Sequence, residues 1–101
     1  MDETTIRDHA QAHADAVVSG DMDAITEDFA EELRPQLREI ARALPRPVTG
    51  AEVMSIETGD PVSVALIRYA GETGAVTIRS EWQEEDGRPR IVKAEPASDP
   101  D

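Results

Sequence analysis

His9 and His13 are the residues whose spacing most resembles that of a chemical site. They stand four positions apart in a segment with helical periodicity, so both would lie on one side of a helix. Such a pair can bind zinc if a third ligand comes from elsewhere in the chain. The alternatives for His13 are a packing residue in the core and a residue that contacts a bound ligand. We predict no metal site.

Tyr69 and Trp82 could also contact a ligand, because each joins a large apolar ring to one polar atom. The alternative is that both pack in the core or in a subunit interface with the polar atom satisfied. His13, Tyr69 and Trp82 are therefore the candidate residues of a ligand pocket. No serine, histidine and acid stand in a nucleophile motif, and the glycines are isolated turn residues. We predict no catalytic residue and no cofactor.

The composition describes one small acidic domain. The chain has 101 residues, of which 39% are hydrophobic, and it has no cysteine, which excludes disulfides and thiolate metal sites. The formal net charge is −12, and residues 1–33 carry ten acids against one base. A surface this negative argues against nucleic acid and anionic membranes as partners. Because the chain begins with acids and has no apolar run of roughly 20 residues, we expect a cytoplasmic protein.

Three helices are predicted in the first half of the chain. The first begins near Thr5, whose hydroxyl could cap it, and ends at Gly20. Asp21 caps the second, and the third begins at Pro35 and stops at Pro45. Each has an apolar stripe at helical spacing, formed by Ile6, Ala10, His13, Ala14 and Val17, by Met22, Ile25, Phe29 and Leu33, and by Leu37, Ile40, Ala41 and Leu44.

The second half changes to a period of two, which predicts a four-stranded antiparallel meander. The Asp86-Gly87 pair is typical of a hairpin turn. Residues 1–95 would form the single α+β domain, and residues 96–101 a flexible acidic tail. The predicted strands are Val53–Thr58, Val62–Ala70, Ala75–Gln83 and Arg88–Glu95.

The second strand is apolar on both faces, whereas the third has one polar face. Three helices can cover only one side of the sheet, so a second subunit would cover the other. We therefore expect a homodimer, although partial cover by the ends of the chain is an alternative. The candidate interface residues are Val64, Ala65, Leu66, Ile67 and Tyr69.

Two segments resemble the NTF2-like superfamily, including its SnoaL-like branch. One is the helix break Ser19-Gly20-Asp21 with the helix that follows it, and the other is the final hairpin from Glu81 to Val92. The likeness covers most of residues 5–95. It implies three helices on one face of a curved sheet that forms a cone, commonly dimeric, in which members hold small molecules or bind partners. This chain is short and lacks one strand of that pattern.

Enzymatic members that resemble ketosteroid isomerase need a carboxylate base that faces the cone and a hydrogen-bond donor for an enolate oxygen. Here Tyr69 has no acid two residues away, and Glu57 and Glu81 lie off the more apolar faces or at strand ends. Two functions remain. The preferred one is a non-catalytic homodimeric binding or assembly module. The alternative is a pocket that binds, and could isomerise or hydrate, a small hydrophobic molecule.

Overall fold

Helices precede a four-stranded sheet in the computed structural model, which describes residues 2–45 and 47–97. The strands lie in the order β1-β2-β3-β4 and every neighbouring pair is antiparallel. The predicted α+β meander is therefore confirmed. The elements are α1 (Glu3–Ser19), α2 (Met22–Asp28), a 3₁₀ helix (Glu31–Gln36), α3 (Leu37–Arg42), β1 (Val48–Glu57), β2 (Val62–Gly71), β3 (Gly74–Glu85) and β4 (Arg88–Pro96).

The ends of α1 and the start of α2 follow from local capping chemistry. The side chain of Asp2 accepts a hydrogen bond from the backbone N–H of Thr5 at 2.8 Å, so Asp2 caps α1 and the predicted cap at Thr5 is wrong. Gly20 ends α1 with a φ of 77°, as predicted, because glycine adopts this left-handed conformation without strain. Asp21 accepts from the backbone N–H of Ala24 at 3.2 Å and caps α2, also as predicted.

The second helix ends at Asp28, earlier than its apolar stripe indicates. Phe29 is extended and forms a parallel bridge with Ile91 of β4. The backbone N–H of Ala30 donates to the carbonyl of Ile91 at 2.8 Å. A backbone group bonded to the sheet cannot continue a helical ladder. The chain therefore resumes as a 3₁₀ helix that contains Pro35, and α3 begins only at Leu37.

Three extra residues interrupt the strand pairing and curve the sheet. They are Thr49 and Met54 in β1 and Val92 in β4. Each lets two apolar residues that are three positions apart face the helices, where strict alternation would place them on opposite faces. This explains why β1 begins at Val48 and not at the predicted Val53. The paired inward residues are Val48 with Ala51, Val53 with Ile56, and Ile91 with Ala94.

The core lies between the helices and the inner face of the sheet. The apolar face of α1 packs against β1 and β2, whereas α2 and the 3₁₀ helix pack against β4. On β3, inward-facing Ile78, Ser80 and Trp82 alternate with more exposed residues, as predicted. The fully buried apolar residues of the core include Ile6, Ala10, Ala14, Ala65, Ile67, Trp82 and Ile91.

The outer face of the sheet is the one turned away from the helices. Val62, Val64 and Leu66 of β2 are half-buried on it. Of the five candidate interface residues, Val64 and Leu66 lie on this face. Ala65, Ile67 and Tyr69 lie instead in the core of their own chain, because alternation points them at the helices.

The C-terminal end of β4 extends further than the predicted strand. Pro96 is its last residue, and the backbone N–H of Ala97 donates to the carbonyl of Thr77 at 2.8 Å. The predicted tail at residues 96–101 therefore does not include Pro96, and residues 98–101 lie outside the described residues. No helix in the described ranges is long and apolar enough to cross a membrane.

Candidate functional site

A cavity of about 470 Å³ lies between the helices and the inner face of the sheet. Its walls come from α1, α2, α3 and the inward residues of all four strands. The apolar lining includes Val17, Ile25, Phe29, Leu37, Ile40 and Leu44, and no Asp, Glu, Lys or Arg of the described residues lines it. Val18 and Met22 also line it and are 39% and 62% exposed, so the cavity opens to solvent beside the α1–α2 break.

His13 brings a polar group into this apolar space. It lies on the apolar face of α1 between Ala10 and Ala14, and it is buried. Its Nδ1 is 2.9 Å from Oδ2 of Asp28, the last residue of α2. Within the described residues its Nε2 makes no hydrogen bond. Because His13 lines the cavity, Nε2 is the atom left to meet a ligand.

Arg88, whose side chain is 31% exposed, joins His13 and Asp28 in a polar cluster. It is the first residue of β4, directly after the hairpin turn, and its Nη2 donates to Oδ1 of Asp28 at 2.7 Å. Both carboxylate oxygens of Asp28 are thereby used, although its side chain is only 12% exposed. A buried carboxylate needs such partners, because desolvation without them would cost several kcal/mol. Asp28 and Arg88 lie behind His13 and do not line the cavity.

Two aromatic rings hold the imidazole of His13 in place. The rings of Phe29 and Trp82 meet it edge to face, at centroid distances of 5.6 Å and 5.9 Å. Phe29 is itself fixed by its bridge to β4, and Trp82 lies in β3. The orientation of His13 is therefore set by the end of α2 and by β3, and its free nitrogen is preorganised rather than mobile.

The hydroxyl of Tyr69 is a second polar atom of the cavity that makes no hydrogen bond within residues 2–45 and 47–97. Tyr69 projects from the inner face of β2, is 3% exposed and lines the cavity. Burial in apolar surroundings raises the pKa of Tyr69, and the negative charge of Asp28 adds to the shift. The phenol therefore keeps its proton throughout the physiological range. It is a hydrogen-bond donor near the His13–Asp28 pair.

Ser80 lines the cavity, and its one hydroxyl proton is already used. It donates to the carbonyl of Ala65 at 3.1 Å and accepts from Nε1 of Trp82 at 2.9 Å. Trp82 is fully buried and is not among the lining residues. Of the three candidate pocket residues, the structure thus places His13 and Tyr69 in the wall and Trp82 in the core behind His13.

The arrangement can bind and polarise a single polar group in an otherwise apolar space. Nε2 of His13 and the hydroxyl of Tyr69 can both hydrogen-bond to a ligand. Nε2 could also accept a proton, since Asp28 would stabilise the resulting imidazolium. Glu57 and Glu81 take no part, because neither lines this cavity. Glu81 pairs instead with Arg79 on the outer face.

Asp28 and Arg88 were not among the residues predicted from the sequence. Asp28 stands three residues after Ile25 in α2, so helical spacing places it on the apolar side of that helix. An acid at a core-facing position was the available signal, because such residues are rarely buried without a partner. Nothing local pointed to Arg88, which is 60 residues away from Asp28 in the chain.

The positions of His9 and His13 bear on the zinc site that their spacing could form. His9 is half-buried at the edge of the α1 interface, and Nδ1 of His13 is already bonded to Asp28. Within residues 2–45 and 47–97, no three His, Cys, Asp or Glu side chains come together as metal ligands would.

Comparison with known proteins adds information about the fold. No protein-family model matches the sequence, and no curated protein matches it significantly. The chain is similar in structure to a DUF4783 family protein from Bacteroides ovatus ATCC 8483, with a TM-score of 0.64 and 11% sequence identity over 82% of this chain and 88% of that one. At this identity the likeness shows a shared fold and carries no information about activity.

Proposed function

We propose that this chain is a non-catalytic binding protein for a small, mostly apolar molecule. The ligand occupies the cavity between the helices and the inner face of the sheet. The observation that carries this proposal is the cavity itself, about 470 Å³ with an apolar lining and two free polar atoms, from His13 and Tyr69. Ligand sites typically have this size and this composition.

The lining of the cavity, more than its volume, supports a ligand site. The cavity is open to solvent, so water contacts its apolar side chains unless a ligand covers them. A ligand that filled this space would bury apolar surface at about 25 cal/mol per Å². The opening beside Val18 and Met22 gives such a molecule a route to the interior.

The resemblance of the sequence to the NTF2-like superfamily supports the same function. Members of that superfamily hold small molecules between their helices and a curved sheet, which is where this cavity lies. We therefore propose that the chain is related to the NTF2-like superfamily and that its sheet forms the same cone. An isomerase or hydratase that uses His13 as a base is the catalytic version of the same site.

Homodimer formation is a second proposal, supported by a different surface. Val64 and Leu66 lie in a concavity of the outer sheet face, flanked by Glu57, Arg79 and Glu95. Val64 and Leu66 are half-buried, and side chains of both charge signs surround them. A surface with an apolar centre and mixed charges can pair with its own copy across a twofold axis.

Filling the cavity tests the binding function. We expect the neutral dye Nile red to bind the wild-type protein saturably, with an increase in fluorescence. Ala94→Phe places a large side chain into the cavity from β4, so it should weaken dye binding at least about tenfold. Ala12→Phe adds the same side chain to the exposed face of α1 and should leave binding unchanged. Equal binding by wild type and Ala94→Phe would contradict the proposal.

A further inference from the structure

We infer that Asp28 is a positioning residue that sets ligand specificity: it fixes the proton of His13 on Nδ1, so that the cavity selects an uncharged apolar molecule with a hydroxyl group. This inference rests on the proposed binding function and names the ligand class for the same cavity. It is carried by the hydrogen-bond geometry of the polar cluster formed by His13, Asp28 and Arg88.

The hydrogen-bonding capacity of Asp28 determines the tautomer of His13. A carboxylate only accepts hydrogen bonds, and Arg88 donates to one of its oxygens at 2.7 Å. The other oxygen is 2.9 Å from Nδ1 of His13, so the proton of this contact belongs to Nδ1. In the neutral imidazole Nε2 then carries a lone pair and is an acceptor.

The second polar atom has the opposite character. Tyr69 lines the same cavity, and its phenol stays protonated because burial and the nearby charge of Asp28 disfavour ionisation. It therefore offers a donor where His13 offers an acceptor. Ser80 adds no further donor, since its hydroxyl proton already bonds the carbonyl of Ala65 while its oxygen accepts from Nε1 of Trp82.

A hydroxyl group matches this acceptor and donor together. It can donate to Nε2 of His13, and its lone pairs can accept from a donor such as the phenol of Tyr69, which lines the same cavity. A ketone or an ether can only accept, so it would leave Nε2 buried without a partner, and binding sites discriminate strongly against such ligands. A carboxylate would enter an apolar lining that has no cationic side chain among the described residues.

Adamantanol, adamantanone and adamantane carboxylate provide the test, because they share one hydrocarbon cage. Calorimetry at pH about 8 should show the alcohol binding wild type at least about tenfold more tightly than either of the others. Tyr69→Phe should weaken binding of the alcohol without favouring the ketone. Equal affinities for alcohol and ketone, or no detectable binding of the alcohol, overturn the inference.

Asp28→Asn should reverse the preference. Its amide oxygen can still accept from Arg88, which turns the amide NH₂ toward Nδ1 of His13. The imidazole proton then moves to Nε2, which becomes a donor suited to the ketone. Asp23→Asn makes the same chemical change on the exposed side of α2 and should keep the wild-type ranking. An unchanged ranking in Asp28→Asn contradicts the inference.

A spectroscopic measurement decides the tautomer even if Asp28→Asn does not fold. Long-range proton–nitrogen NMR of the two imidazoles of wild type should show Nδ1 of His13 protonated and Nε2 unprotonated, and a proton on Nε2 would overturn the inference.

Failure of the specificity inference is distinguishable from failure of the binding function. If wild type binds Nile red but does not prefer the alcohol, only the specificity is wrong. If it does not bind the dye, the function is wrong.

Discussion

The chemistry of the cavity depends on residues that do not line it. Asp28 and Arg88 lie behind His13, and the rings of Phe29 and Trp82 restrict its imidazole. Among the described residues, Nε2 of His13 and the hydroxyl of Tyr69 are side-chain polar atoms of the cavity wall without a hydrogen-bond partner, so their donor or acceptor character bears on what can bind. Substitutions at Asp28 therefore affect specificity through His13, whereas substitutions at Tyr69 act on the ligand directly.

Tyr69 should make folding stability depend on pH in alkaline solution. Its pKa is raised in the folded state above the ordinary value of 10.0, which applies to the unfolded chain. Its contribution is fully present below that pH and is lost as the pH rises, because the unfolded state ionises first. Relative to Tyr69→Phe, wild type should lose about 1.4 kcal/mol of unfolding free energy per pH unit above pH about 10.

Urea unfolding of both proteins between pH about 8 and about 11, followed by the fluorescence of Trp82, measures this difference. Tyr69 is the only tyrosine of the chain, so phenolate absorbance reports it alone. A constant difference between wild type and Tyr69→Phe at every pH would contradict the prediction. So would phenolate absorbance that rises near pH about 10 while the protein is still folded.

At the scale of the elements, the breaks matter as much as the helices and strands. Gly20 turns the chain between α1 and α2 beside the mouth of the cavity, and it lines that cavity. The end of α2 is pinned to β4 by Ala30, which places Asp28 against His13. The bulge at Val92 brings Ala94 into the cavity wall. Each irregularity thus positions part of the site.

Replacing Gly20 by alanine should destabilise the protein through its backbone. The φ of 77° is a left-handed conformation that costs a residue with a Cβ roughly 1–2 kcal/mol, although no atom lies within 4 Å of the added carbon. Gly20→Ala should therefore lower the unfolding free energy by about that amount in urea titrations. Gly50→Ala is the matched control. A Cβ added at Gly50 likewise meets no atom within 4 Å, but Gly50, unlike Gly20, has no positive φ. Equal stability of the two variants would show that the α1–α2 break is not strained.

The ligand cavity and the proposed dimer contact lie on opposite faces of the sheet. The inner face of the sheet closes on the helices and the cavity, while the outer face carries Val64 and Leu66 beside the Arg79–Glu81 ion pair. The ligand function requires only the inner face. The homodimer would use only the outer one, so the two proposals can be tested separately.

Light scattering tests the homodimer. At micromolar concentration we expect a mass of about twice the 11.0 kDa of one chain. Leu66→Lys should give the monomer mass, because it would bring like charges together in an apolar contact. Gln11→Lys adds the same side chain to the exposed face of α1 and should leave the dimer intact. A wild-type mass near 11.0 kDa would refute the dimer and leave the ligand proposal standing.

The amino-acid sequence alone determined the features that depend on near neighbours. Helical spacing predicted α1 and its burial of His13, and Gly20 and Asp21 marked the break that follows it. The Asp86-Gly87 turn, with both residues at positive φ, and the meander order were predicted for the same reason. Local propensity and turn chemistry act over a few residues, so they can be read without the fold.

Only the tertiary structure decided the rest, because those features join residues distant in the chain. The end of α2 is set by a bond to β4, and the bulges of β1 and β4 replace alternation by a spacing of three. Burial of Asp28 is tolerated because Arg88, 60 residues away, neutralises it. The cavity exists because the helices and the curved sheet do not close on each other completely, and no local pattern records the space between them.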